Sequence, residues 1–191
     1  MPLLRGPPNT CEPTLRKEGV IDIKTIKDQL LARLFTRFPS LFNRWVRKHR
    51  FVEFDDTPWT PFTGQVSQSR VALVTTGGVH LKNDRPFNMR DPAGDPGFRE
   101  IPVQAAASNL TITHNYYDHS DADKDINVVF PFERLHELAA TDALGSVNHR
   151  HFSFMGHILP PHIETLINTT GPQVARLLKQ DAVDIVLLTP A

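Results

Sequence analysis

Residues 70–78 read RVALVTTGG, and this stretch decides the fold that the sequence predicts. Its apolar side chains follow one another without alternation, which is typical of a strand buried on both faces of a parallel sheet. The glycine pair then marks the carboxyl end of the strand, where the chain enters a loop. Ligands of open parallel sheets bind beyond such carboxyl ends, so we expect the functional site to begin there.

Strands and helices alternate downstream of this strand. Short apolar runs predict strands, apolar side chains at three- and four-residue intervals predict helices, and a run rich in Pro and Gly predicts a long ordered loop. The predicted elements are the loop 82–102, a strand 109–114, a helix 133–144 with Leu135, Leu138 and Ala139 on its apolar face, a strand from 151, a helix 165–180 and a final buried strand 183–188. This order indicates an α/β fold with a mostly parallel open sheet, doubly wound like half of a Rossmann fold.

The region before the sheet is divided by charge and composition. We expect a flexible tail over 1–19, a basic helical hairpin over 20–50, a linker over 51–69 and the α/β domain over 70–191. Residues 1–50 carry 11 basic and 4 acidic side chains, against 10 and 17 in the rest of the chain. The hairpin either docks onto an acidic partner or packs on its own acidic domain through Leu34, Phe38 and Trp45. The second arrangement is favoured, because a basic helix is usually a solvated face.

Composition excludes several classes of protein. The formal net charge is zero, so a uniformly basic nucleic-acid-binding protein is not expected. Cys11 is the only cysteine, which excludes a disulfide or a multi-thiolate metal site within one chain. The sequence lacks both a long uncharged apolar stretch and a signal peptide, so we expect a cytoplasmic protein with no membrane span.

The densest set of reactive side chains lies in residues 114–125, HNYYDHSDADKD. Two imidazoles and four carboxylates within twelve residues suit three readings. They can position a substrate and transfer protons, since histidine titrates near neutral pH. They can bind a hard or borderline cation, although the spacing matches no standard metal motif. They can also form a hydrogen-bonded structural loop, because Asp and Asn favour turns.

Five blocks of sequence resemble, in order, the selenoprotein B family of glycine, sarcosine, betaine and D-proline reductases. The resemblance runs from about Pro58 to the last residue, and the third block is the most specific. The blocks are RVALVTTGGVHLK from Arg70, DPAGDPGFREIP from Asp91, YDHSDADKDINVVFP from Tyr117, FSFMG from Phe152 and VDIVLLTP from Val183.

The resemblance implies reductive cleavage of a carbon–nitrogen bond in a small amino acid or N-methylated amine. In that family a pyruvoyl group on a partner subunit activates the substrate amine, a selenocysteine attacks the carbon, and thiols complete the reduction. No cofactor is implied within this chain. Mapped onto the matching blocks, the catalytic candidates for proton transfer are His119, Asp118 and Asp121. The substrate-binding candidates are Thr75, Thr76, Gly77, Gly78, His80 and Asp123 within those blocks, together with His114 shortly before the third block.

The resemblance also places the selenocysteine after the strand 183–188, whereas this sequence ends at Ala191. We expect that a UGA selenocysteine codon was read as a stop, which makes the chain the first part of a longer domain pair and inactive alone. Two alternatives stay open at this point. One is a metal-dependent hydrolase or binding protein that uses the loop from His114 to Asp125. The other is a non-catalytic remnant that binds a partner through its basic helices.

Overall fold

A computed structural model describes residues 23–47, 55 and 60–191. The tail predicted for residues 1–19, with Cys11, lies outside the described residues, as does much of the predicted linker. Residues 60–69 contain no strand and a single 3-10 turn, Val66–Gln68. Among the helices that the structure describes, none is long and apolar enough to cross a membrane.

The described residues form five α-helices and seven β-strands. The helices are α1 (Ile23–Arg37), α2 (Pro39–Val46), α3 (Phe132–Ala140), α4 (His162–Thr165) and α5 (Gly171–Gln180), with a π-helical turn, Leu166–Thr170, joining the last two. The strands are β1 (Arg70–Thr75), β2 (Val79–Leu81), β3 (Arg99–Pro102), β4 (Leu110–Ile112), β5 (Ser146–Val147), β6 (Arg150–Ser153) and β7 (Ile185–Thr189).

The main sheet is built around β1. Its neighbours β5, β6 and β7 all run parallel to it, and β3 adds to the far edge of β6 in the antiparallel direction. The sheet has helices on both faces, because Val71 and Leu73 pack in the cluster that includes α3, whereas Ala72 packs with Val174 and Leu178 of α5. The predicted mostly parallel α/β sheet is therefore confirmed.

Strands β5 and β6 pair one after the other with the same edge of β1, and two residues lie between them. Arg70 lies opposite Ser146 and Val74 lies opposite Phe152. Between these two pairs, the chain of β5 and β6 therefore contains two more residues than β1 does. The Leu73 N–H would lose its ladder partner there, and the Nδ1 atom of His151 accepts its hydrogen bond at 3.1 Å. His151 is 1% exposed, and burial lowers its pKa to about 4. The neutral ring thus completes the backbone bonding of the central strand.

An ion pair ties the start of β6 to the end of α5. The guanidinium of Arg150 donates two hydrogen bonds to the Asp181 carboxylate, from Nε at 2.7 Å and from Nη2 at 2.8 Å. The Asn148 side-chain amide donates a third to Asp181 at 3.0 Å. The Asp181 side chain is 6% exposed, and these donors lower its pKa to about 2.

Three predictions about the strands and helices of the body are wrong. The strand near residue 109 does not join the parallel sheet, because β4 pairs antiparallel with β2 in a separate two-stranded ribbon. The loop 82–102 ends in strand β3. The final strand is not buried, because it lies at the sheet edge, with Leu188 68% exposed.

Helix α3 also ends four residues earlier than predicted. A positive φ of 57° at Asp142 takes the chain out of helical geometry before Gly145 is reached. The predicted apolar face holds for Leu135, which is buried, but Leu138 is 46% exposed.

The helical hairpin forms as α1 and α2, but it packs through other side chains than predicted. Leu34 and Phe38 are 41% and 51% exposed and do not line the groove between the hairpin and the sheet domain, and the predicted Trp45 side chain lies outside what the structure describes. The contact lies instead at a small apolar groove, where α1 and α2 meet the segment that follows β4 and the one that follows β6. This groove is lined by Asp28, Leu31, Ala32, Phe35, Phe42, Tyr116, His157 and Leu159.

Replacing Asp181 by Asn should destabilise the protein, because the half-buried Arg150 guanidinium loses its bidentate charged partner and keeps only Glu100. We expect the free energy of unfolding to fall by about 1.5–3 kcal/mol, the range for hydrogen bonds to charged groups, in urea titrations at pH 7. Glu137→Gln is the matched control, since its pair with Arg134 is exposed and should change stability by less than about 0.5 kcal/mol. Equal stabilities of Asp181→Asn and the wild type would contradict this role.

Stability should also fall as the pH is lowered from 6.5 to 4. The buried side chains of His151 and His114 have a pKa of about 4, against 6.5 for an exposed histidine. Over that interval the unfolded chain binds protons that the folded chain excludes, at ~1.4 kcal/mol per pH unit for each group. His151→Leu should therefore reduce the pH dependence of the unfolding free energy. An unchanged slope in His151→Leu would show that His151 is not the group that titrates.

Candidate functional site

The carboxyl edge of the sheet brings together the loop after β1 and the end of β7. The Thr76 N–H donates to the Thr189 carbonyl at 3.1 Å, and the Ala191 N–H donates to Thr76 Oγ1 at 3.0 Å. After β1 the chain passes to α3 on one face, and after β6 to α5 on the other. The crevice outside such a switch in direction is the usual ligand site of an open α/β sheet.

The hydroxyls of Thr75 and Thr189 hold the ends of β1 and β7 together by hydrogen-bonding to the same carbonyl, that of Val129. Thr75 is fully buried, and its hydroxyl lies 2.8 Å from the Val129 carbonyl, which also accepts from Thr189 Oγ1 at 2.9 Å. Thr75 Oγ1 in turn accepts the Gly77 N–H at 3.0 Å. Of the predicted substrate-binding residues, Thr75 therefore holds the edge in place, and the half-buried Thr76 lies closer to solvent.

The glycine loop is closely packed rather than open. Gly78 has a φ of 69°, and a Cβ atom there would lie 2.6 Å from the Thr113 carbonyl oxygen, so only glycine fits. The Gly78 N–H donates to the Phe154 carbonyl at 2.9 Å. Since the Thr76 and Gly77 N–H groups are bonded as well, the loop presents no unbonded N–H group to an anion in this conformation.

Tyr117 belongs to the acidic loop, residues 114–125, and connects it to the glycine loop, residues 76–78. Its hydroxyl donates to the Gly77 carbonyl at 3.0 Å. Its ring makes edge contacts with His114, at 4.6 Å between ring centroids, and with His119, at 5.6 Å. Burial raises the pKa of Tyr117, which keeps the hydroxyl as a donor. The structure thus places the acidic loop one tyrosine ring away from the carboxyl edge.

Two of the predicted substrate-binding histidines are buried. His80 is 2% exposed and uses both ring nitrogens, since Nδ1 donates to the Leu81 carbonyl and Nε2 accepts from the Thr113 hydroxyl at 2.7 Å. His114 is 5% exposed, and its Nδ1 accepts the Tyr116 N–H. Burial, with a smaller contribution from His157, lowers the pKa of His114 to about 4. Both rings are buried and hydrogen-bonded within the protein, so they do not face solvent.

The three catalytic candidates separate in the structure. The Nδ1 atom of His119 lies 2.8 Å from Asp123 Oδ2, and Asp118 accepts the Ser120 N–H at 3.2 Å. That hydrogen bond lowers the pKa of Asp118. Asp121 instead pairs with Lys124 at 2.8 Å, and its side chain is 79% exposed. His119, Asp118 and Asp123 therefore share one site, and Asp121 lies outside it.

The shared site is a pocket of about 100 Å³ that has a wall the sequence did not predict. Helix α1 supplies this wall through Gln29 and Arg33. Their spacing of four residues places both on one helix face. This spacing is the only feature of the sequence that could have indicated that the two side chains line one pocket. The remaining lining residues are Tyr117, Asp118, His119, Ser120 and Asp123.

The loop does not gather a metal-binding set of ligands. Within residues 23–47, 55 and 60–191, no three His, Cys, Asp or Glu side chains lie close enough together to hold a metal ion. The neighbouring carboxylates of Asp121 and Asp125 bond to Lys124 and Asn127 instead. The geometry gives the metal-dependent alternative no support in the described part of the chain.

Known proteins similar to this chain are subunits of reductases. D-proline reductase subunit gamma of Acetoanaerobium sticklandii is 40% identical over 131 residues, which are 69% of this chain and 52% of that protein. Glycine reductase complex component B subunit gamma of Carboxydothermus hydrogenoformans is 28% identical over 143 residues, 71% of this chain and 31% of that protein. Sarcosine reductase complex component B subunit beta of Peptoclostridium acidaminophilum is 26% identical over 142 residues, with the same two shares.

The match therefore spans about half the length of the first of these relatives and about a third of the other two. No solved structure is significantly similar to the chain. The family model for glycine/sarcosine/betaine reductase selenoprotein B matches residues 43–191, which include every strand of both sheets and the whole acidic loop. On this match, the chain belongs to the selenoprotein B family of glycine, sarcosine and betaine reductases.

Proposed function

We propose that this chain is a component of a reductase complex that cleaves a carbon–nitrogen bond of a small amino acid or N-methylated amine. The observation that carries the proposal is the hydrogen bond from Tyr117 to the Gly77 carbonyl. It joins the two blocks of sequence that most resemble the family, the glycine loop and the acidic loop, at the carboxyl edge of one sheet. A reaction at this edge would have proton-transferring side chains directly beside it.

The groups that the family resemblance implies suit this edge. A pyruvoyl group on a partner subunit would activate the substrate amine, and a selenol would supply a soft nucleophile that is ionised at neutral pH. The resemblance places the selenocysteine after the strand that corresponds to β7. Pro190 and Ala191 are exposed at the end of that strand, and the Ala191 N–H is bonded to Thr76. A nucleophile placed there would be next to the glycine loop and open to a partner subunit.

The reaction needs a proton at the nitrogen that leaves. Overall, the C–N bond is replaced by a C–H and an N–H bond, which takes two electrons and two protons and oxidises a dithiol to a disulfide. In our proposal His119 delivers the proton. Asp123 accepts the Nδ1–H of His119 at 2.8 Å, which leaves Nε2 as the ring atom that exchanges a proton with the substrate. Asp118, which remains ionised, attracts the cationic amine.

The test is turnover by a complex assembled from this chain, the selenocysteine-bearing polypeptide and the pyruvoyl-bearing subunit that the resemblance implies, with a dithiol as reductant. Glycine, sarcosine, betaine and D-proline would each be supplied, and the amine product measured. We expect His119→Gln to lower kcat about 10²–10⁴-fold, as for loss of a general acid, with a smaller change in KM. His136→Gln is the matched control, since this exposed histidine on α3 lies outside the pocket.

Two results would contradict the proposal. A complex that reduces none of the four amines would exclude the reductase function for this chain. A complex that turns over equally well with His119→Gln and with His136→Gln would exclude the proton-transfer role of His119.

A further inference from the structure

Arg33 lies in the 100 Å³ pocket without an ion pair among the described residues, although a carboxylate is close to it. The Arg33 charge contributes to the lowered pKa of Asp118, but no oxygen of Asp118 lies within 4.0 Å of its guanidinium. Asp118 uses one carboxylate oxygen to accept the Ser120 N–H. The pocket therefore holds a positive and a negative group that face the same space and do not neutralise each other by contact.

The pocket also limits the size of its ligand. A volume of about 100 Å³ corresponds to roughly three water molecules at ~30 Å³ each. This space suits a molecule of a few non-hydrogen atoms. A small amino acid in its zwitterionic form has that size and carries one charge of each sign.

We propose that Arg33 and Gln29 form the carboxylate subsite of a small zwitterionic amino acid, whose ammonium group faces Asp118. The guanidinium of arginine offers two parallel N–H donors that match the two oxygens of a carboxylate. The amide of Gln29, one helical turn earlier on the same face of α1, supplies a further donor. This inference rests on the proposed function and names the residues that would bind the carboxylate of the substrate.

The subsite would come from a part of the chain that lies outside the family match. The family match begins at residue 43, so α1 lies outside it, whereas Tyr117, Asp118, His119 and Asp123 lie inside. The pocket thus combines a wall inside the matched segment with a wall outside it.

The test measures binding of glycine to the full chain through the NMR chemical shifts of His119 and Tyr117, which line the pocket. Glycinamide, which lacks the carboxylate, is the comparison ligand. We expect glycine to bind about tenfold more tightly than glycinamide, and Arg33→Gln to remove that preference while leaving glycinamide binding unchanged. Arg33→Lys should keep part of it. Arg37→Gln, one turn further along α1 and outside the pocket lining, is the matched control and should bind glycine like the wild type.

The signals of Tyr116 and His157, which contact α1 in the neighbouring groove, report whether the helix stays in place in each variant. Equal affinity for glycine and glycinamide, or unchanged glycine binding in Arg33→Gln with α1 in place, would overturn the inference. This outcome is separate from turnover by the complex. Arg33-dependent glycine binding without any turnover would leave the subsite standing and remove the reductase function.

Discussion

The pairing of β1 with parallel strands on both of its edges is the constraint on which the rest of the structure depends. Because Val71 and Leu73 point to one core and Ala72 to the other, the same six-residue strand anchors both helix layers. The bonds from Thr75 and Thr189 to one carbonyl then fix where the chain leaves the sheet. That exit point sets the position of the glycine loop, and through Tyr117 it sets the position of the acidic loop.

The sequence predicted the central strand, the α/β class and the approximate helices, because these follow from local apolar patterns. It did not predict the order of the strands, and this accounts for its errors about strands. An apolar run such as residues 183–188 indicates a strand, but its exposure depends on whether the strand is central or at an edge. Likewise, alternation within residues 109–114 indicated a strand without showing that it pairs with β2 outside the main sheet.

The candidate site was predictable in its chemistry and not in its assembly. The density of reactive side chains in residues 114–125 pointed to the loop that lines the pocket, and the family blocks pointed to the carboxyl edge beside it. Which of those side chains face the pocket depends on the turns of the loop, which direct Asp121 to solvent and Asp118 inward. The contribution of Arg33 could not be predicted, because it arises from the way a distant helix packs on the body.

The central claim is that the carboxyl edge of β1 and β7 is where this chain meets its catalytic partner. A cryo-EM structure of the reductase complex that contains this chain tests it most directly. If the partner bears the proposed pyruvoyl group, the account predicts that this group lies over the edge formed by Thr76, Tyr117 and Ala191, facing the pocket that His119 lines. A partner docked at the opposite end of the sheet, beside Ser69 and Gly145, would contradict the account.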